Sequence, residues 1–244
     1  MEMRRKRLPW NNGYMSRQAS LAFYSLFLSM AAACVLYGKI VPDRSHYRIW
    51  EWTDILPLLI GIPFVFLQGK AGLPELWEPK SSIRTKMLLP LSIGLVFGLA
   101  DLLVIEGLVR TEPHRSLPAY TQPFPYSVFL YASGCFEMEV FYRLIPVTVL
   151  MSLTQRYAGP VAAHKCFPWV AILTSIREPL EQWPEGHPWY IAYSLATGLA
   201  MNMAQAVSYM RHGLAASVFL RLGHYLIWHI LNGIYIQYVV LGRG

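Results

Sequence analysis

The sequence contains few charged residues. Asp, Glu, Lys and Arg make up 14% of its 244 residues, whereas a soluble domain carries about 25%. Hydrophobic residues make up 55% of the chain and are collected into long runs. The shortage of charge excludes an ordinary soluble domain. The runs predict an all-α protein, a polytopic transmembrane helical bundle of about seven helices, within a range of six to eight.

Cysteine is also scarce, and the metal-binding patterns are missing. The three cysteines, Cys34, Cys135 and Cys166, lie in or beside apolar runs and form no C-x-x-C pair. This excludes a disulfide framework and a zinc knuckle. Histidines do not form an H-E-x-x-H motif, so the residues themselves predict no metal site and leave the cofactor unknown. The chain has no internal repeat, which argues against a transporter.

The net charge of +7 comes from cations that flank the apolar runs. This arrangement predicts contact with anionic membrane lipid and no binding of nucleic acid. Lys and Arg concentrate in residues 1–18 and in the connection 69–86, which predicts a cytoplasmic N-terminus. The first run, from about Ala19, is too long for the core of a signal peptide, so we expect it to remain as a helix.

Seven apolar segments are expected to form the bundle. They lie near 19–38, 54–68, 87–109, 126–153, 167–182, 188–210 and 214–241. The second and fifth are short and contain prolines, so each is predicted to be kinked, re-entrant or only partly inserted. The connection 110–125 has four prolines and is predicted to be an extended loop.

Charged residues interrupt the fourth segment, where residues 137–143 read Glu-Met-Glu-Val-Phe-Tyr-Arg. A charge at bilayer depth costs about 2.5–3.5 kcal/mol and requires a partner or a cavity. Glu139 and Arg143 are spaced i, i+4 in the order that favours an ion pair. Glu137 lies about 200° around the helix from Glu139. The residues leave two roles open for Glu139: a general base that activates water, or part of a buried pair that fixes helix register.

At this motif the sequence resembles the CAAX prenyl endopeptidases and their large prokaryotic branch, the CPBP or Abi intramembrane proteases. Their first motif is E-E-x-x-x-R, often E-E-V-F-Y-R, in a transmembrane helix. Residues 138–143 read Met-Glu-Val-Phe-Tyr-Arg, which keeps the second Glu, Glu139, and Arg143. Met138 replaces the first Glu, and Glu137 lies one position upstream.

The family's second motif, F-x-x-x-H, is absent from the next apolar segment. In the stretch 171–182, Glu178 stands at the Phe position and Gln182 at the His position. The two still form a polar i, i+4 pair.

The third motif, H-x-x-x-N or H-x-x-x-D, follows a lead-in that this chain matches well with Tyr-Met-Arg-His-Gly-Leu-Ala-Ala-Ser-Val at 209–218. In one register Arg221 replaces the His, Tyr225 replaces the Asp, and His229 is a second His. A shifted register begins at His224.

The resemblance covers residues 126–240 and implies an intramembrane endopeptidase. Glu139 would activate water, Arg143 would orient the Glu139 carboxylate, and a histidine with Asn232 would polarise the carbonyl. His224 and His229 are the two candidates for that histidine. Further candidate binding residues are Glu137, Tyr142, Glu178, Gln182, Arg221 and Tyr225. The departures from the motifs support an alternative, a catalytically inactive family member that acts as a membrane binding or regulatory protein.

The resemblance also implies partners and location. It implies a peptide or membrane-protein substrate or partner within the lipid, and an integral protein of a prokaryotic plasma membrane. A divalent metal is implied only by the family's description as metalloproteases. The chain then divides into a basic cytoplasmic segment 1–18, N-terminal transmembrane helices 19–125, and a protease-like core 126–241.

The last segment carries a polar stripe. Its members, which fall within about 60° of one another on a helix, are Arg221, Tyr225, Trp228 and Asn232. His229 and His224 lie at opposite edges, about 140° apart, so they are not expected to face one cavity centre together. The stripe is predicted to face the fourth segment across a shared cavity. Because two arginines and Glu139 leave a net positive charge, Arg221 is predicted to contact Glu178.

Two further groups of polar residues have structural interpretations. Asn202, Gln205 and Tyr209 form a stripe on the sixth segment and are predicted to bond neighbouring helices. Asp101 and Glu106 lie near the end of the third segment. We expect both to be solvated at the membrane interface.

Overall fold

A computed structural model describes residues 9–41, 47–110 and 112–242, and side chains from Arg17 onward. The predicted basic segment therefore lies largely outside the described residues. The described chain is helical and contains no strand. The α-helices are α1 Pro9–Gly38, α2 Trp52–Leu59, α3 Ile62–Leu67, α4 Leu89–Val104, α5 Tyr126–Glu139, α6 Ile145–Glu181, α7 Pro188–His212, α8 Leu214–Tyr225 and α9 Asn232–Tyr235.

Wide, π-helical turns extend or join several of these helices. They span Arg84–Leu88, Ile105–Val109, Val140–Leu144, Leu226–Leu231 and Ile236–Val240. A π-helical turn closes its hydrogen bonds from residue i to i+5, so it rotates the side chains that follow relative to an α-helix. Two of these turns lie next to the candidate site residues.

Four helical segments of the described chain are long and apolar enough to cross a membrane. They are Arg17–Gly38, Trp52–Ala71, Arg84–Val109 and Leu214–Val240. The chain is therefore a helical membrane protein, as predicted. The other predicted spans are helical but do not belong to this group, so the count of about seven remains a prediction.

The fourth and fifth predicted segments are joined more tightly than the sequence suggests. The range of α6 contains two helices that meet at a break at Gly159, where φ is 82°. A left-handed residue of this kind is readily formed by glycine. The chain reverses at Gly159, so that Arg177 Nη1 lies 3.4 Å from the carbonyl oxygen of Phe141. The second segment is interrupted between α2 and α3, as its prolines predict. Residues 112–125 form the predicted loop before α5.

Helix α8 lies at the centre of the bundle and packs on α4, α5 and α7. Its contact with α4 is a backbone seam made by glycines. A Cβ atom built on Gly94 would lie 1.9 Å from the carbonyl oxygen of Leu220, and one built on Gly98 would lie 2.9 Å from that of His224. The G-x-x-x-G spacing therefore allows α4 and α8 to approach closely. This seam positions the far end of α4 beside the candidate site.

We predict that Gly94→Ala lowers the melting temperature of the detergent-solubilised protein. The added methyl group meets backbone on α8, and overpacking of this kind costs about 1–3 kcal/mol. The matched control is Gly134→Ala on α5, where a Cβ meets nothing within 4 Å. An unchanged melting temperature for Gly94→Ala would show that the seam tolerates a side chain.

Candidate functional site

A buried network of charges connects α5, α6 and α8. The Nε atom of Arg221 lies 2.7 Å from Glu139 Oε1. Its Nη1 and Nη2 atoms each lie 2.6 Å from an oxygen of Glu178, which makes a bidentate pair. The predicted contact between Arg221 and Glu178 is confirmed. Ser217 donates a hydrogen bond to the second oxygen of Glu139, so both carboxylate oxygens have partners.

The predicted ion pair between Glu139 and Arg143 is wrong, although both side chains are fully buried as expected. The Arg143 guanidinium donates instead to the backbone carbonyls of Tyr142, Thr174 and Asn202, at 2.7, 3.2 and 3.0 Å. The reason is competition: Arg221 and Ser217 already bond the Glu139 carboxylate. Arg143 faces carbonyl oxygens that need donors, and these partly compensate its buried charge.

Helix α7 supplies the amides that join the two arginines. Gln205 Oε1 accepts hydrogen bonds from Arg143 at 3.3 Å and from Arg221 at 3.1 Å. Asn202 Oδ1 also accepts from Arg143. The prediction that Asn202, Gln205 and Tyr209 bond neighbouring helices is confirmed, since Tyr209 accepts from Gln68 and contacts Thr148. We call Glu139, Arg143, Glu178 and Arg221 the Arg221 network; its formal charges sum to zero.

A cavity of about 360 Å³ adjoins the network. Six of the predicted site residues line it, namely Glu178, Gln182, Arg221, His224, Tyr225 and His229. Glu139, Arg143 and Asn232 do not line it, so the predicted cavity centred on Glu139 and Arg143 is not formed. Arg221 and Glu178 are the members of the network that face the cavity.

Both histidines of the last segment line this cavity, contrary to the expectation from α-helical geometry. Their ring centroids lie 6.3 Å apart. The π-helical turn Leu226–Leu231 begins after His224 and contains His229. Because residues five apart fall near one another in such a turn, it brings together two rings that an α-helix would separate.

Neither histidine bonds Glu139. His229 Nδ1 contacts the carbonyl oxygen of Tyr120, and its ring stacks on Tyr131 at 4.3 Å. His224 Nε2 lies 2.8 Å from an oxygen of Asp101. Neither histidine therefore makes the contact with Glu139 that the resemblance implies.

Asp101, for which we expected only solvation at the membrane interface, contributes to the cavity wall. Its side chain is 25% exposed, and it bonds His224 and accepts a second hydrogen bond from Tyr193 at 2.8 Å. The Nδ1 atom of His224 is buried without a partner. The signal in the sequence was the spacing of Asp101 from Gly94 and Gly98, seven and three residues away, which places it on the α8-facing side of α4.

One curated protein is similar in sequence to part of this chain. It is the teichuronic acid biosynthesis protein TuaE of Bacillus subtilis (strain 168), which is 25% identical over 154 residues. The match covers 62% of this chain and 28% of TuaE, so the chain spans less than a third of that relative's length. No family model matches the chain, and no solved structure matches it.

Three of the predicted site residues lie elsewhere. Glu137 is 4.0 Å from Arg48, on the side of α5 away from Glu139. Tyr142 donates to Glu181 at the end of α6. Asn232 lines a separate, largely apolar groove between α4 and the last helix, and its amide nitrogen has no hydrogen-bond partner.

The described residues contain no group of three or more His, Cys, Asp and Glu side chains that could hold a metal ion. Asp101 and His224 bond one another in the cavity. The cavity wall offers a ligand one guanidinium group, carboxylates, imidazoles and aromatic rings.

We predict that Glu178→Gln strongly destabilises the protein. It leaves Arg221 with one carboxylate and the buried network with a net positive charge. Removing one partner of a buried ion pair costs about 3–5 kcal/mol. The measurement is thermal unfolding in detergent.

The matched control is Glu181→Gln, three residues further along α6. Glu181 pairs with Arg177 on an exposed surface, so its melting temperature should stay close to that of the unchanged protein. Equal melting temperatures for the two variants would contradict the importance of the Arg221 network.

Proposed function

We propose that this chain is a non-catalytic relative of the CPBP intramembrane proteases that binds a peptide segment of a membrane-protein partner. The cavity beside Arg221 is the proposed binding site. We place the protein in a prokaryotic plasma membrane with its N-terminus in the cytoplasm, as its distribution of Lys and Arg favours.

The observation that carries this proposal is the environment of Glu139. Its carboxylate is ion-paired with Arg221, bonded by Ser217 and absent from the cavity wall. A general base must lie within hydrogen-bond reach of the water that it activates. Uptake of a proton by Glu139 would also break a buried ion pair. Glu139 is thus better suited to holding Arg221 in place than to activating water.

The cavity offers chemistry that suits a peptide. Tyr120 and Trp228 stack at 4.8 Å and contribute to its wall. His224 and His229 add imidazole rings to the same wall. The Arg221 guanidinium could donate a hydrogen bond to a peptide carbonyl, and the Glu178 carboxylate could accept one from a peptide N–H group.

A second candidate is peptide hydrolysis, and a specific observation favours it. His224 and Asp101 are arranged like a general base with its orienting carboxylate, and both contribute to the cavity wall. The Nδ1 atom of His224 has no partner but is buried, so this role requires a side-chain movement that admits water to it. In this alternative His224, rather than Glu139, would accept a proton from water. Glu139 would keep its part in the Arg221 network.

The two candidates are separated by a peptide-cleavage assay. The protein in liposomes is incubated with a defined peptide mixture, and products are identified by mass spectrometry. We expect no products above those of empty liposomes. Products that are lost in His224→Gln but retained in Glu139→Gln would establish the second candidate. Loss in Glu139→Gln, with the fold intact, would restore water activation by Glu139.

Binding itself can be tested by photo-crosslinking in native membranes. A photoreactive amino acid replaces Gln182, an exposed residue of the cavity wall. We expect an adduct with a membrane protein that is lost when Ser194→Trp fills the cavity. Leu199→Trp is the control, because Leu199 is on the same helix but does not line the cavity. An adduct unaffected by Ser194→Trp would place the partner elsewhere.

A further inference from the structure

A second cavity, of about 760 Å³, lies at the end of the bundle where α7 meets the loop before α4. Its wall contains cations, imidazoles and hydroxyl groups. The members with these groups are Lys80, Ser81, Ser82, Thr85, His164, Arg211 and His212. We call this space the basic cavity. Its side chains are hydrogen-bond donors of the kind that bind phosphate.

The loop that forms this cavity is fixed to the helices. The N–H of Ala215 bonds the carbonyl oxygen of Leu76 at 2.9 Å. The loop backbone also passes so close to Gly213, where φ is 91°, that a Cβ there would lie 2.3 Å from the carbonyl oxygen of Glu75. Ser81 Oγ lies 3.3 Å from His212 Nδ1. The basic cavity is therefore preformed by the fold.

The basic cavity keeps an excess of positive charge, because Lys80 and Arg211 outnumber the one carboxylate in its wall. Glu78 is the carboxylate in its wall, and its two oxygens accept hydrogen bonds from the backbone N–H groups of Lys80 and Glu75, at 3.1 and 3.3 Å. No ion pair within the described residues joins Lys80 or Arg211 to a carboxylate. Both cations are exposed and available to an anion.

An apolar groove of about 480 Å³ continues from the basic cavity between α6 and α7. The two share His164, Met210 and Arg211. The groove is otherwise lined by Phe167, Pro168, Ala171, Ile172, Met203 and Val207. Beside it on α6, Trp169 and Leu173 are 72% and 62% exposed, as is usual for side chains that face lipid. A cationic cavity that opens into an apolar groove matches an amphiphile with an anionic head.

We propose that the basic cavity and the apolar groove together bind one anionic phospholipid. Its phosphate lies against Lys80 and Arg211, with the hydroxyl groups of the loop as further donors, and one acyl chain lies along the groove. Basic pockets between membrane helices bind lipid headgroups by this combination of charge and burial. The site lies apart from the Arg221 network, and it does not depend on the partner proposed there.

The test is a titration of the detergent-solubilised full chain with dioleoyl phosphatidylglycerol, followed by native mass spectrometry. Dioleoyl phosphatidylcholine is the reference lipid. We expect preferential binding of the anionic lipid, and binding weakened roughly tenfold or more by Lys80→Gln with Arg211→Gln, since each basic residue near a headgroup contributes appreciably.

The matched control is Arg156→Gln with Lys165→Gln. These cations precede and follow the reversal of α6 at Gly159, and neither lines the basic cavity or the groove. Their removal lowers the net charge equally and should leave the affinity unchanged. An equal loss in both double variants would overturn the proposal, because it would indicate general attraction of the charged surface.

A third variant tests the groove independently of charge. Val207→Trp fills the groove and should weaken dioleoyl phosphatidylglycerol while leaving dihexanoyl phosphatidylglycerol less affected. If Val207→Trp changes the binding of neither lipid, the acyl chain does not lie in the groove and that part of the proposal is wrong. Competition by inorganic phosphate at the same concentration as the lipid would identify a free-phosphate site and overturn the choice of a lipid.

Discussion

The buried pairing of Arg221 with two carboxylates is the interaction on which the rest of this structure depends. Arg221 is 1% exposed, and it draws Glu139 of α5 and Glu178 of α6 onto α8. An unpaired guanidinium at this depth would be very costly, whereas a bidentate pair and further hydrogen bonds offset its desolvation. Gln205 extends the connection to α7. One side chain therefore fixes the relative positions of four helices.

The same pairing limits the chemistry available. Glu139 is held by Arg221 and Ser217, so its role is structural. The polar groups that line the cavity beside it are those of Arg221, Glu178 and His224. The glycine seam between α4 and α8 adds Asp101 to the cavity wall. The cavity is consequently a mixed surface of charge and aromatic rings. Such a surface offers hydrogen bonds and ring contacts to the peptide proposed above, and its two imidazoles are the groups suited to proton transfer.

The two proposed binding regions have different physical characters. The cavity beside Arg221 is lined by charges of both signs, from Asp101, Glu178 and Arg221, and by residues of α7 and the last helix. The basic cavity is open, and its cations have no carboxylate partners within the described chain. The first favours a ligand that makes specific hydrogen bonds, and the second favours an anion attached to an apolar chain. A lipid at one region and a protein segment at the other could be bound at the same time.

The sequence alone determined the helical membrane class, the burial of Glu139 and Arg143, and the need for Glu178 to balance Arg221. These follow from composition and from the cost of charge in an apolar surrounding, which do not depend on detailed geometry. The tertiary structure decided which groups actually meet. It separated Glu139 from Arg143, brought His224 and His229 to one cavity, and paired His224 with Asp101. The reason is that π-helical turns change the angular order of side chains, and partners from distant helices compete for each carboxylate; neither effect can be read from spacing along one segment.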